Sequence, residues 1–134
     1  MVRLFGDAGC RNSQRALKWL QDRNFPYQFT DIRKAGMPAA CLSDCVDVFG
    51  WRGLIDGRTV GWRALPESVT RNLDRTGAEA LIAELPQIVK SPIICVGDRW
   101  LLGWNAANKI RLLGHMPVRG GAGDMRAQVA LAGR

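Results

Sequence analysis

Cys10 stands in the stretch Gly6-Asp7-Ala8-Gly9-Cys10-Arg11-Asn12-Ser13, where a short apolar run ends in glycines and a helix is predicted to open. A thiol at that position faces backbone N–H groups that have no partner in the first turn, together with the positive end of the helix dipole, and both favour the thiolate. Arg11 and Arg15 add positive charge on the same turn. Because the thiolate is the reactive form, Cys10 is the candidate nucleophile or redox centre. Taken alone, the position fits equally well a cysteine that merely sits in a turn. Ser13 follows at the spacing where a Cys-x-x-Cys pair would carry its second sulfur. Serine forms no disulfide, so a redox cycle at Cys10 would need an outside thiol such as glutathione, or a distant cysteine, to finish it. A phosphatase-type loop would place an arginine six residues after the cysteine; here Arg15 comes five after, and that chemistry is set aside.

Positioning such a thiol requires a sheet and a helix. Residues 2–5 read as a short buried strand, and Ser13, Ala16, Leu17 and Leu20 fall on one helical stripe. That helix ends near Asn24, ahead of Pro26, and Tyr27 and Phe29 alternate with polar residues as a second strand. Strand, helix, strand implies a right-handed crossover between parallel strands, with Cys10 beyond the carboxyl end of the first.

Residues 31–90 read as helix and loop. Pro38 suits a first helical position, with Leu42, Cys45, Val46 and Phe49 as the apolar stripe, so that Cys45 fills a core and Cys41 is its partly exposed neighbour. Gly50 to Arg63 carries too many glycines for regular structure and too much Trp and Arg for a linker, and reads as a functional loop. Within it, Arg58 would reach an anion or the thiolate, or simply pair with a carboxylate. Thr76 with Glu79 reads as a capping box opening a helix that runs to Pro86. Residues 93–96 and 99–102 then form a hairpin turning at Gly97-Asp98, and Pro92 just before it is a position where a cis peptide can occur. Asn105 caps a last helix with Ala106, Ile110 and Leu113 as its apolar positions. Cys95 reads as a buried strand residue, and residues 116–134 as a flexible tail.

Of the 134 residues, 47% are hydrophobic and 23% charged, which suits a globular fold and excludes wholesale disorder. No apolar run approaches a membrane span and residues 1–7 lack a secretion signal, so the expected compartment is the cytoplasm. Four cysteines at positions 10, 41, 45 and 95, with His115 as the sole histidine, match no zinc spacing, and no metal site is expected. The net charge of +7 is spread along the chain without a basic run or aromatic-basic interleaving. That pattern favours an anionic small molecule or an acidic protein partner over nucleic acid.

Several pieces share their spacing with one family: Leu4-Phe5-Gly6 with Cys10-x-x-Ser13, Ala16-Leu17-Lys18-Trp19-Leu20, Tyr27-x-Phe29-x-Asp31-Ile32-Arg33-Lys34, Leu54-Ile55-Asp56-Gly57-Arg58, Ile88-Val89-Lys90-Ser91-Pro92-Ile93 and Leu102-Gly103-Trp104. Over about residues 2–114 the chain resembles the arsenate reductase/Spx family, nearest its YffB-like branch. The resemblance implies an α/β, thioredoxin-like four-stranded mixed sheet flanked by helices. It also implies a helical insertion over about residues 35–90, all within one domain of residues 1–115. It implies a cis proline at Pro92 beside Cys10, and a glutathione-dependent thiol reductase as the activity. Asn12, Ser13, Arg58, Lys90, Ser91 and Pro92 would then surround the thiolate or bind glutathione as co-substrate, or a thiol/disulfide protein substrate in its place. Arsenate reductases of the family use three arginines for the oxyanion. Here the second position is Ser91, the third falls at Gly103 or Trp104, and the first is displaced to Arg58, so one clamp would replace three. The alternatives that the resemblance carries are a degenerate arsenate reductase and an Spx-like regulator that docks on the C-terminal domain of the α chain of RNA polymerase.

Overall fold

The computed structural model describes residues 1–115, so the tail expected over residues 116–134 lies outside the described residues. In chain order the elements are β1 (Val2–Gly6), α1 (Arg11–Asp22), β2 (Tyr27–Asp31), α2 (Ile32–Ala35), α3 (Ala39–Phe49), α4 (Trp51–Leu54), α5 (Val60–Arg63), α6 (Glu67–Thr70), α7 (Arg75–Glu84), a 3-10 turn (Pro86–Ile88), β3 (Ile93–Val96), β4 (Arg99–Leu102) and α8 (Ala106–Leu113). The strands form the expected thioredoxin-like four-stranded mixed sheet, in the order β2-β1-β3-β4. Contacts divide the described residues into two compact units, one of residues 1–29 together with 91–115 and one of residues 30–90.

The first unit is organised by alternation along β1. Val2 and Leu4 point to one face and meet Val96 and Ile94 across the antiparallel β1–β3 pair. Ala16 and Leu20 of α1, Phe25, Leu101 and Leu112 of α8 complete that core, with Trp19 and Trp104 partly buried against it. Leu17, expected on the inward stripe, is only half-buried. The other face of the sheet carries Arg3, Phe5, Cys95 and Trp100, where the Arg3 guanidinium lies 5.8 Å from the Phe5 ring centre and 5.7 Å from that of Trp100. Arg3 also reaches the Cys95 sulfur at 3.3 Å, so the buried strand cysteine has a cation beside it that hydropathy alone did not announce. Gly97, with φ of 61°, makes the two-residue turn that sets Val96 opposite Arg99.

The last helix is turned relative to its expected face. Ala106, Ile110 and Leu113 are exposed, and the inward residues are Asn108 and Leu112. Asn108 is drawn inside by hydrogen bonding: its amide donates to the carbonyls of Leu102 (2.9 Å) and Gly103 (2.8 Å), which the end of β4 leaves without sheet partners. Asn105 caps the helix as expected, accepting from the Asn108 N–H at 2.8 Å.

The second unit is mainly helical. Its buried hydrophobic residues are Ile32 of α2, Leu42, Cys45 and Val46 of α3, Leu54 of α4, Ile55, Ala78 and Ile82 of α7, and Ile88 and Val89. Pro38, expected at the first helical position, is instead the N-cap of α3, which begins at Ala39. The N-terminus of α7 also differs from expectation: Asp74 accepts from the Gly77 N–H, so Thr76 lies inside the helix. Glu79 is taken by Arg75, which donates from Nε at 2.7 Å and also ties α7 to Asp47 of α3. An aspartate two residues upstream supplies the same capping chemistry as the threonine and outcompetes it. The glycine-rich stretch 50–63 is likewise not a continuous loop, because it winds single turns at α4 and α5, the latter capped by the Thr59 hydroxyl.

Candidate active site

Cys10 is the N-cap of α1, in extended backbone conformation (φ −83°, ψ 128°), and its side chain makes no capping hydrogen bond. It is partly exposed, and its thiol is not in a disulfide. The turn before it is set by Asp7, whose carboxylate accepts from the Gly9 N–H (2.8 Å) while its carbonyl accepts from the Cys10 N–H (2.8 Å). Asn12 is exposed on the first helical turn.

Ser13 is fully buried, one turn into the helix, and its hydroxyl lies 2.6 Å from that of Ser91. The Asp7 backbone N–H also donates to Ser91 Oγ, at 3.2 Å. Ser91 precedes Pro92 through a cis peptide bond, and Pro92 is buried. One hydroxyl pair thus fastens the start of the Cys10 helix to the cis-proline turn. Gly6 is required beside it: a Cβ there would overlap Ser13 Oγ and come within 2.9 Å of Ser91 Oγ. Sequence reading missed Gly6 and Asp7, although the Asp7-x-Gly9 spacing is an Asx-turn signal that would have marked the second.

The positions where an arsenate reductase would carry further arginines are spoken for. Ser91 is engaged as described, Gly103 has φ of 86° and donates its N–H to the Pro92 carbonyl (2.8 Å), and Trp104 packs edge-on to Trp19 with ring centres 5.4 Å apart. A side chain at residue 103 would strain that left-handed backbone.

Arg58 and Lys90 belong to the second unit. Arg58 is 90% exposed on its side chain and donates to Asp56 from Nε (3.1 Å) and its terminal nitrogen (3.4 Å). Asp56 was not singled out from the sequence. The hydrogen bonds from Arg58 hold its carboxyl below the usual aspartate range, against a smaller opposing effect of burial. Asp56 is anchored in turn, because its N–H donates to the Ile88 carbonyl (2.7 Å) next to an antiparallel bridge between Ile55 and Val89. Lys90 ends that pairing with its N–H on the Leu54 carbonyl (2.8 Å) and is exposed. Among the described residues no three His, Cys, Asp or Glu side chains cluster as a metal site would require, and no helix is long and apolar enough to cross a membrane.

Known proteins align with this geometry. The ArsC family profile matches residues 5–111. An uncharacterized protein of Haemophilus influenzae is 36% identical over 105 residues, spanning 78% of this chain and 92% of the relative. Among solved structures, a YffB protein superposes with a TM-score of 0.77 at 24% identity, over 83% of this chain and 97% of its own. An arsenate reductase (ArsC) related protein from Brucella melitensis superposes with a TM-score of 0.65 at 28% identity, over 84% and 93%.

Proposed function

Because this chain belongs to the ArsC family, we propose that it is a glutathione-dependent thiol–disulfide reductase with Cys10 as its single nucleophile. The observation that carries the reading is the partly exposed Cys10 at the N-cap of a helix whose next turn is bonded, through Ser13 and Ser91, to the cis-proline turn. The Cys10 thiolate attacks the glutathione sulfur of a protein–glutathione mixed disulfide, forming Cys10–S–S–glutathione and releasing the protein thiolate, which takes up a proton. A second glutathione thiolate attacks the glutathione sulfur bound to Cys10. Glutathione disulfide leaves and the Cys10 thiolate is restored, so each cycle consumes one glutathione thiol, the other half of the glutathione disulfide comes from the mixed disulfide, and no second protein cysteine is needed. The Ser13 and Ser91 hydroxyls share one hydrogen bond, and Ser91 also accepts from the Asp7 N–H, so the pair holds the start of the Cys10 helix in place for the reaction. Asn12 and the cis-proline backbone line the glutathione chain. The cytoplasm, where glutathione is abundant and reduced, is the compartment for this cycle.

Incubation with glutathione disulfide followed by intact-mass measurement tests this directly. The expected result is one adduct, adding the mass of a glutathione less two hydrogen atoms, that is lost in Cys10→Ser and kept in Cys41→Ser. An adduct that survives Cys10→Ser, or no adduct at all on a folded protein, would overturn the assignment. Arsenate reduction is the weaker reading, since Ser91, Gly103 and Trp104 stand where oxyanion-holding arginines would be. Docking on the C-terminal domain of the RNA polymerase α chain would not need the thiol, and full cellular activity of Cys10→Ser would favour it.

A further inference from the structure

Within the second unit, Trp51, Arg52, Ile55, Gly57, Trp62 and Thr70 surround a cavity of about 240 Å³. Both indoles are only half-buried, although their unit has buried positions filled by smaller aliphatic residues. Leaving two of the largest apolar side chains open to water has a free-energy cost that a merely structural role would avoid by burying them. Arg52 is the one charged residue of the lining. It lies over the Trp51 ring, with its guanidinium carbon 4.7 Å from the ring centre. Arg58, Arg71 and Arg75 of the same unit all pair with carboxylates, whereas among the described residues Arg52 forms no ion pair. Its donors therefore remain available at the mouth of an aromatic cavity. Arg58 does not line it.

We infer that this cavity binds a small planar anion of the aromatic-carboxylate class, its ring against Trp51 and Trp62 and its carboxylate on Arg52. Size and charge select that class. A cavity of about 150 Å³ accommodates benzene, so 240 Å³ suits one ring or two fused rings with a carboxylate, and a macromolecule would enter only by a single side chain. Two indoles favour a flat ring over an aliphatic chain through face and edge contacts. A guanidinium already seated on an aromatic face presents its fork edgewise to a carboxylate.

The test uses 2-naphthoate, its neutral isostere 2-naphthamide, and inorganic phosphate, titrated into the full chain while the tryptophan indole N–H signals are followed by NMR. We expect 2-naphthoate to shift the Trp51 and Trp62 signals, with 2-naphthamide about tenfold weaker, as the loss of one charged hydrogen-bond partner predicts, and phosphate without effect. Arg52→Gln should remove the advantage of naphthoate over naphthamide without changing the unfolding midpoint, and Trp62→Phe should weaken both. Equal affinity for the two ring compounds, naphthoate binding indifferent to Arg52→Gln, or shifts confined to Trp19, Trp100 and Trp104 would each overturn the inference. Cys10→Ser should bind naphthoate unchanged, which separates failure of this site from failure of the thiol chemistry.

Discussion

Between Ser13 and Ser91 two hydroxyl protons serve one shared hydrogen bond of 2.6 Å, leaving one proton over. A serine at the second position of Cys10-x-x-Ser13 makes this lock and cannot become a disulfide partner. Ser13→Ala removes the lock. We expect it to cost about 1–2 kcal/mol of stability in urea unfolding, because Ser91 loses a partner in a partly buried place. It should also slow formation of the Cys10 glutathione adduct relative to a neutral alkylating reagent. Equal slowing of both reactions would show that Ser13 acts on the exposure of the sulfur and not on its charge. The nucleophile itself was visible in the sequence because glycines, a thiol and a helix start are local features. Its lock to Ser91, 78 positions away, was not, since nothing local marks a hydroxyl for another hydroxyl that far along the chain.

At the level of elements, α8 shows how a polar residue can win the inward face of a helix. Asn108→Ala leaves the Leu102 and Gly103 carbonyls without their donor and is expected to cost about 2–3 kcal/mol. Ile110→Ser, on the exposed face, should stay within about 0.5 kcal/mol. Denaturant midpoints of the two variants check the pair, and the reverse ranking would refute the observed face. Hydropathy placed Ile110 inside because it counts apolar atoms and is blind to orphaned carbonyls at a strand end. In the α4–α5 segment, Asp56 titrates lower when folded because Arg58 hydrogen-bonds its charged form. Its contribution to stability is therefore complete above the unfolded aspartate value, about 3.9, and disappears as the pH falls through the lower folded value. The stability gap between the wild type and Asp56→Asn should accordingly be constant from neutral pH to about pH 5 and close below about pH 4. The gap is expected to be small, since the Arg58 side chain is 90% exposed. A gap that widened in acid would contradict the pairing.

For the molecule as a whole, the net charge of +7 bears on which substrates arrive. Positive potential raises the encounter rate of anions and is screened once the Debye length shrinks from about 30 Å at 0.01 M salt to about 3 Å at 1 M. The rate at which Cys10 reacts with glutathione disulfide, an anion at neutral pH, should fall across that range. Its reaction with an uncharged disulfide should stay nearly constant. Equal salt responses would leave the surplus charge without a part in substrate capture. Charge is a sum over residues and can be counted before any fold is known; which arginines remain unpaired, as Arg52 does and Arg58 does not, depends on neighbours brought in by folding.

Local chemistry settled the strands, the helix that begins after Cys10, the hairpin at Gly97 and the cap at Asn105, because periodicity, turn residues and capping side chains act within a few positions of one another. Family-level spacing extended this to the thioredoxin-like sheet and the proline at its cis bond. The Ser13–Ser91 lock, the burial of Asn108, the cation beside Cys95 and the Trp51–Trp62 cavity came only with the folded chain. Each is a contact between partners that the chain brings together or an orientation set by hydrogen bonds elsewhere, and linear order carries no record of either.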